Sequence, residues 1–195
     1  AFVNQQKNNR RLTAVFFGDG ATDEGVFWES LNFACLKKIP LLFVCEDNNL
    51  AIHSKGYERQ GYRSITDIVD RFDCHVIQSE STDPQVIADL TAQGKAYIRE
   101  KGGPVFFHFK CYRYLEHVGV NEDFHSGYRS RDEFERWHAI DPIRLQREKL
   151  LANGLKESSL REIENTIIGQ IEKSILQARQ APFPPETDLH RGVFA

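Results

Sequence analysis

The stretch from Phe16 to Asn49 constrains the fold more than any other part of the sequence. An apolar run over Leu12–Phe17 has the length of a buried strand, and the glycines that follow it permit a sharp turn. Apolar residues at helical spacing predict a helix that begins near Asp23, and Leu41–Cys45 predicts a second buried strand. A strand, a helix and a strand in this order form a βαβ unit. Both strands therefore run parallel and end at the same edge of a sheet, where ligands bind.

The turn of this unit reads Gly18-Asp19-Gly20. A glycine-rich turn before a helix offers backbone N–H groups to a phosphate, but a carboxylate in the turn repels phosphate unless a cation lies between them. Mg²⁺ prefers oxygen ligands from carboxylates, carbonyls and the phosphates of a bound ligand. Asp19 and the amide of Asn48, at the end of the second strand, therefore predict a magnesium site at the sheet edge.

The Gly-Asp-Gly turn followed by Asn48-Asn49 resembles the thiamine diphosphate motif, which opens with GDG and closes with NN. The wider sequence resembles the α subunit of the thiamine diphosphate-dependent, decarboxylating component of 2-oxo acid dehydrogenase complexes of the pyruvate, branched-chain and acetoin types. The segments that carry this resemblance are GDGATDEGVFWESLNFACLKKIPLLFVCEDNNLAI, GGPVFFHFKCYRYLEHVG, GYRSRDEF, DPIRLQREKLL and PFPPETDLHRGVFA. It implies the thiamine diphosphate-binding α/β fold, a mostly parallel sheet flanked by helices, and a chain that is the C-terminal portion of a longer subunit.

The resemblance also implies which residues form the site. It gives magnesium ligands (Asp19, Asn48 and the backbone carbonyl of Leu50), cofactor-binding residues (Gly18, Asp19, Gly20, Ala21, Asn48, Arg113 and His117) and one catalytic residue (His117). Arg113 corresponds to the family's diphosphate arginine, and His117 to the histidine near the cofactor and the substrate.

Four residues depart from the family pattern. Leu50 replaces a common tyrosine, which leaves a backbone carbonyl as a ligand but removes the ring. Leu115 and Glu116 stand where relatives often carry His-Gly or Gly-His, and the acid changes the surroundings of the histidine that follows. Val118 replaces the regulatory serine of animal pyruvate-type subunits, so that form of phosphorylation control is not predicted here.

The activity implied by the resemblance is oxidative decarboxylation of a 2-oxo acid with acyl transfer to lipoamide, in a heterotetramer. In this family the glutamate that activates the cofactor's aminopyrimidine comes from a β subunit or a fused β-like region. The acyl group passes to a lipoyl-bearing acyltransferase. No residue of this chain can be assigned to the activating role, so the isolated chain is expected to be inactive.

Two other functions fit parts of the sequence. The pair Gly18-x-Gly20 after a strand, with Glu46 near the end of the next, imitates the fingerprint of a dinucleotide-binding oxidoreductase. The third glycine is absent, however, because Asp23 occupies its place. A pseudo-subunit or scaffold that keeps the fold and binds a partner without cofactor is the non-enzymatic alternative.

Composition excludes several classes of protein. A formal net charge of −3 with mixed signs and no long basic tract argues against nucleic-acid binding. No apolar run approaches the length of a membrane span. The four cysteines are scattered and suggest neither a metal site nor a disulfide framework. A reducing compartment is therefore expected, the cytoplasm being favoured over the mitochondrial matrix.

The rest of the chain predicts further elements of an α/β domain over residues 1–140 and a helical extension with a Pro-rich tail over residues 141–195. The predicted strands are Cys74–Gln78 and Pro104–Phe109, and the predicted helices are Ile65–Phe72, Pro84–Lys101, Arg131–Trp137, Ile143–Ala152 and Ser158–Gln180. The last strand brings Arg113 and His117 to the edge that carries Asp19. The polar segment Val118–Ser130 predicts a loop that becomes ordered with ligand.

Overall fold

The structure is a computed structural model that describes residues 1–7, 9 and 11–192. It divides into two compact units, Ala1–Gln146 and Arg147–Ala195. The strands are β1 (Thr13–Gly18), β2 (Leu41–Asp47), β3 (Leu50–Ala51), β4 (Ser54–Lys55), β5 (His75–Ser79) and β6 (Val105–Lys110). The helices are α1 (Phe2–Gln6), α2 (Gly25–Leu36), α3 (Gly56–Arg59), α4 (Ile65–Val69), α5 (Pro84–Lys101), α6 (Arg131–His138), α7 (Pro142–Ala152) and α8 (Glu157–Gln180). Short 3₁₀ turns cover Asp19–Asp23, Phe124–Ser126 and Glu186–His190.

The first unit is built on a four-stranded sheet in the order β1-β2-β6-β5. All three pairings are parallel. Val44 in the centre of the sheet pairs with Phe16 on one side and with Phe107 on the other. The predicted βαβ unit is confirmed, and the two further predicted strands form within one residue of their expected limits. The predicted parallel α/β sheet flanked by helices is confirmed as well.

The first strand differs from its prediction as a buried strand. β1 pairs only with β2 and lies at the edge of the sheet. Its centre is exposed, and Phe16 keeps 66% of its surface accessible. The apolar sequence predicted burial because hydrophobicity alone does not distinguish an edge strand from a central one. Among the described residues, no element pairs with its outer side.

Two apolar clusters cover the faces of this sheet. On one face α2 packs Phe27 and Leu31 against Phe43 and Phe106. On the other face α5 contributes Ile98 to a cluster with residues of β2, β5 and β6. Helices on both faces of a parallel sheet leave its carboxyl edge open to loops, and these loops carry the candidate site.

Local signals determine where the helices begin. The side chain of Asp83 accepts a hydrogen bond from the N–H of Gln85 at 3.0 Å, and Pro84 occupies the first turn of α5, as the sequence predicts. α2 begins at Gly25, two residues after the predicted start, because the 3₁₀ turn Asp19–Asp23 comes first. None of the described helices is long and apolar enough to cross a membrane.

The second unit contains the long helix α8, close to the predicted range. Arg147 forms ion pairs with Glu157 and with Glu164 of this helix. A row of isoleucines along α8 is about half exposed: Ile163, Ile167, Ile168, Ile171 and Ile175. The predicted tail motif PFPP follows α8, and the last three residues of the chain lie outside the described range.

Candidate functional site at the carboxyl edge of the sheet

The turn after β1 is fixed by buried hydrogen bonds. The hydroxyl of Thr22 donates to the backbone carbonyl of Asp19 at 2.7 Å. The indole N–H of Trp28 donates to the carbonyl of Thr22 at 2.9 Å, which ties the turn to α2. Thr22 itself is almost fully buried. The position of the Asp19 carboxyl group therefore follows from packing as well as from the flanking glycines.

The Asp19 carboxyl group lies in a buried and electrostatically unfavourable position. The residue is 5% exposed. Its Oδ2 pairs with the guanidinium of Arg59, whereas its Oδ1 is buried and has no hydrogen-bond partner among the described residues. Burial, followed by the nearby charge of Asp47, raises the pKa of Asp19 above its usual value although Arg59 opposes this. A buried carboxylate oxygen without a hydrogen-bond partner is stabilised by binding a proton or a cation.

The loop after β2 is held by hydrogen bonds from its backbone N–H groups to its own side chains. The N–H of Asn49 donates to Oδ1 of Asp47 at 2.7 Å, and the N–H of Leu50 donates to Oδ1 of Asn48 at 3.0 Å. Asn49 has a φ of 61°, a left-handed conformation that asparagine tolerates better than most residues. The Asn48 amide oxygen thus keeps a lone pair for a second partner.

This loop meets the Asp19 turn at Gly20. A Cβ atom placed on Gly20 would lie only 2.9 Å from the Cβ atom of Ala51. Glycine is therefore required here by close approach, because a side chain would push the turn and the loop apart. The Gly-Asp-Gly turn therefore touches the segment that follows Asn48 and Asn49, at Ala51.

Arg113 comes from the segment after β6 and reaches the same loop. Its Nη1 donates to the carbonyl of Ile52 at 2.9 Å, and its Nη2 donates to the hydroxyl of Tyr128 at 2.6 Å. Its Nε donates to the carbonyl of Leu115 at 3.1 Å. The structure therefore brings Arg113 to the loop that carries Asn48, with its guanidinium hydrogen-bonded within the chain.

A buried ion pair holds this segment in place. The guanidinium of Arg129 donates to Oδ1 of Asp123 at 2.8 and 2.5 Å and also to the backbone carbonyl of Arg113. Burial alone would raise the pKa of Asp123, but hydrogen bonds from Tyr128 and Arg129 outweigh it and hold the pKa below its usual range. Both residues lie in the segment that the sequence predicts only as a ligand-ordered loop.

His117 stands apart from these contacts. Its side chain is exposed and forms no hydrogen bond or ion pair with the residues that the structure describes. The neighbouring Glu116 accepts hydrogen bonds from the backbone and the side chain of Asn121, which closes a small turn around Gly119. The structure therefore shows no hydrogen bond or ion pair between the His117 side chain and the other predicted site residues that it describes.

Sequence reasoning missed a polar cluster next to the site. Nε2 of His108 and Nζ of Lys110 lie 2.8 and 2.5 Å from Oδ2 of Asp47. Burial raises the pKa of Asp47, yet these two hydrogen bonds outweigh it and hold the pKa far below its usual value. The signal in the sequence was the alternation of His108 and Lys110 on β6, opposite an acidic strand end. All three line a cavity of about 560 Å³ with Gln78 and Ser64.

The oxygen-rich character of the site limits what it can hold. Among the described residues, no group of three or more His, Cys, Asp or Glu side chains is placed to bind a metal ion. A hard cation that takes one carboxylate and completes its shell with amide, carbonyl and phosphate oxygens needs no such group. The predicted ligand set of Asp19, Asn48 and the Leu50 carbonyl offers one carboxylate, one amide and one backbone carbonyl, which suits such a hard cation.

These features define a class of protein: a parallel α/β domain whose candidate ligand site lies at the strand ends, with a buried acid in a glycine turn beside an amide-bearing loop. Residues 1–187 match the family described as "Dehydrogenase E1 component". The chain belongs to that family.

Curated relatives are subunits of one enzyme. The chain is 31% identical over 194 residues to "Pyruvate dehydrogenase E1 component subunit alpha" of Porphyra purpurea, covering 99% of this chain and 56% of the relative. It is 26% identical over 195 residues to the protein of the same description in Rickettsia conorii, covering 100% of this chain and 59% of the relative. The chain thus spans little more than half the length of these relatives.

Among solved structures, transketolase from Leishmania mexicana superposes with a TM-score of 0.46 at 24% identity, over 51% of this chain and 15% of that chain.

Proposed function

We propose that this chain is the diphosphate-binding portion of the α subunit of a thiamine diphosphate-dependent 2-oxo acid dehydrogenase. Membership of the E1 family supports this class of activity. The observation that carries the proposal is the buried, unpartnered Oδ1 of Asp19 next to the close contact between Gly20 and Ala51. Together they provide a carboxylate oxygen that is free to bind a cation and a glycine turn that packs closely against the neighbouring loop at the strand ends.

The residues present fit a magnesium ion and a diphosphate group. Asp19 and the Asn48 amide are hard oxygen donors, and the Leu50 carbonyl would complete the protein's share of the ligands. Gly18, Gly20 and Ala21 would present backbone N–H groups to the diphosphate. Magnesium is needed in this arrangement because the Asp19 carboxylate would otherwise repel the phosphates.

When bound, thiamine diphosphate supplies the electron sink for decarboxylation of the 2-oxo acid. The chain's own residues then have separate tasks. Asp19 and Asn48 would hold the magnesium ion, whose charge would offset that of the diphosphate. Arg113 would donate charge-assisted hydrogen bonds to the diphosphate after exchanging some of its present partners, such as the carbonyl of Ile52. His117, exposed in this structure, would serve the substrate or the acyl transfer to lipoamide.

We further propose that activity requires partners. No residue of this chain has been assigned to activation of the aminopyrimidine, so a β subunit or β-like region would supply that glutamate. A lipoyl-bearing acyltransferase would receive the acyl group. The cellular compartment, with the cytoplasm favoured over the mitochondrial matrix, stays a prediction from the cysteine pattern.

The test is an assay of CO₂ release by the full-length protein assembled with its β partner, thiamine diphosphate and Mg²⁺, with pyruvate and branched 2-oxo acids as substrates. We expect turnover of at least one of them, and none from this chain alone. His117→Ala should retain cofactor binding but lose turnover, and Asp19→Ala should lose both. An assembled enzyme that binds no thiamine diphosphate, or that keeps full activity in both variants, would reject the proposal.

Two alternatives predict different outcomes when the assembled protein is titrated with thiamine diphosphate or with NAD. A pseudo-subunit would bind the partner but neither cofactor nor substrate. A dinucleotide enzyme would bind NAD without a metal. The Asp19 carboxylate in the glycine turn disfavours this, because it would repel a pyrophosphate bound at that turn.

A further inference from the structure

Arg59 makes a contact that the proposed function does not use. Its Nη2 pairs with Oδ2 of Asp19, and its Nη1 pairs with Oδ2 of Asp23. The side chains of Arg59 and Asp19 are 12% and 8% exposed, so this ion pair is largely shielded from water, whereas the Asp23 side chain is 28% exposed. Arg59 ends α3, which follows the Asn48 loop in the chain. The guanidinium therefore sits on the carboxylate that the proposed function gives to the metal.

Neighbouring hydrogen bonds hold Arg59 in this position. Nε2 of Gln60 donates to Oδ1 of Asp23 at 3.2 Å and to the hydroxyl of Thr22 at 3.3 Å. At the other end of α3, the N–H of Gly56 donates to Oδ1 of Asn49 at 3.1 Å. The short helix is thus fixed between the loop after β2 and the acidic turn, and Arg59 is aimed at the turn.

We propose that Arg59 is an internal counter-ion that holds Asp19 when no metal is bound and competes with the divalent cation for it. This inference rests on the function proposed above. A cation bound by Asp19 would lie close to the guanidinium in a poorly solvated place, where like charges repel strongly. A cation at the unpartnered Oδ1 of Asp19 would therefore weaken the hold of Arg59 on Oδ2. Asp23, which already accepts from the same guanidinium, is the partner that retains Arg59.

In this arrangement Arg59 positions the Asp19 carboxylate but lowers the affinity of the site for a metal ion. Its guanidinium supplies a counter-charge to the buried Asp19 carboxylate when no metal is bound. It also links occupancy of the metal site to α3, because release of Arg59 from Asp19 removes one of the contacts that fix this helix. An Arg59 that merely braced the turn would have the opposite effect on affinity, since its loss would weaken metal binding.

The experiment measures binding of Mn²⁺ alone to the full-length protein, from the electron paramagnetic resonance signal of the free ion. The variants are Arg59→Ala, Arg59→Gln, which keeps part of the side chain, and Arg63→Ala. Arg63 is a matched control because it is exposed, lies four positions along the chain and forms no ion pair with the described residues. Asp19→Asn identifies the Mn²⁺ signal that belongs to this site, and circular dichroism checks that each variant is folded.

The expected result is that both Arg59 variants bind Mn²⁺ at least roughly tenfold more tightly at the Asp19-dependent site than the wild type or the Arg63 control. The inference is equally supported if the wild type shows no detectable Mn²⁺ binding and an Arg59 variant binds Mn²⁺ at this site. Equal or weaker binding in the folded Arg59 variants, or no Asp19-dependent binding in any protein, would overturn the inference.

Failure of this inference is distinguishable from failure of the proposed function. The proposed function is judged by Mg²⁺-dependent binding of thiamine diphosphate to the wild type, which does not depend on how Arg59 variants respond. If the wild type binds the cofactor and the Arg59 variants show no gain in Mn²⁺ affinity, only the role given to Arg59 is wrong.

Discussion

The buried pair of Arg129 and Asp123 supports the segment that delivers Arg113, and its removal should be strongly destabilising. The Arg129 side chain is 1% exposed and that of Asp123 is 5% exposed. Arg129→Ala removes the closer of the two cations beside the buried Asp123 carboxylate, leaving Arg113 at 3.9 Å, and leaves the carbonyl of Arg113 without that donor. Breaking one side of a buried pair costs about 3–5 kcal/mol. With a urea m-value of about 2 kcal/mol/M, the unfolding midpoint should fall by roughly 1.5–2.5 M.

Urea unfolding followed by circular dichroism measures this shift, and Arg131→Ala is the matched control. Arg131 pairs with Glu122 at 2.9 Å, but the two side chains are 59% and 49% exposed. Exposed ion pairs contribute about 0–1 kcal/mol, so the control should move the midpoint little. Adding Asp123→Asn to Arg129→Ala removes the unpaired charge, and the double variant should lose less stability than the sum of the single losses. Equal shifts for Arg129→Ala and Arg131→Ala would refute the reasoning.

Two further predictions follow from the site. Because the pKa of Asp47 lies below its ordinary value of 3.8 in the folded chain, its contribution to stability is present above that pH and lost as the pH falls below it. Asp47→Asn should therefore flatten the acid side of the curve of unfolding free energy against pH, and an unchanged slope would show that the cluster with His108 is not formed. Gly20→Ala should lower thermal stability by about 1–3 kcal/mol and weaken binding of thiamine diphosphate, because its Cβ would crowd Ala51. Gly18→Ala, whose Cβ would lie 3.9 Å from its nearest neighbour, is the milder control in the same melting and calorimetric assays, and equal losses would contradict the crowding argument.

Local sequence signals predicted most of the elements. The Asp83-Pro84 start of α5 and the apolar spacing in α2 depend on residues a few positions apart, so they can be read without a structure. The order of strands depends on distant parts of the chain. β6 inserts between β2 and β5, and β1 lies exposed at the edge, although its sequence resembles that of a central strand.

The motif of the candidate site could be recognised in the sequence, but the ion-pair partners of its residues could not. Asp19 and Asn48 follow from the motif because their roles are tied to a glycine turn and a strand end. The pairing of Asp19 with Arg59 joins residues forty positions apart, and nothing local indicates it. The cluster of Asp47 with His108, sixty-one positions apart, arises only because β2 and β6 are neighbours in the sheet. Long-range ion pairs of this kind require the fold to be known first.

The most direct test of the central claim is calorimetric titration of the full-length protein, with its partner subunit, by thiamine diphosphate in the presence of Mg²⁺ and again with EDTA. We predict binding only with Mg²⁺, its loss in Asp19→Asn, and normal binding in Asp70→Asn, which changes an exposed aspartate outside the site. Binding of equal strength with EDTA, or unchanged binding in Asp19→Asn, would contradict a metal-bridged diphosphate site at this sheet edge.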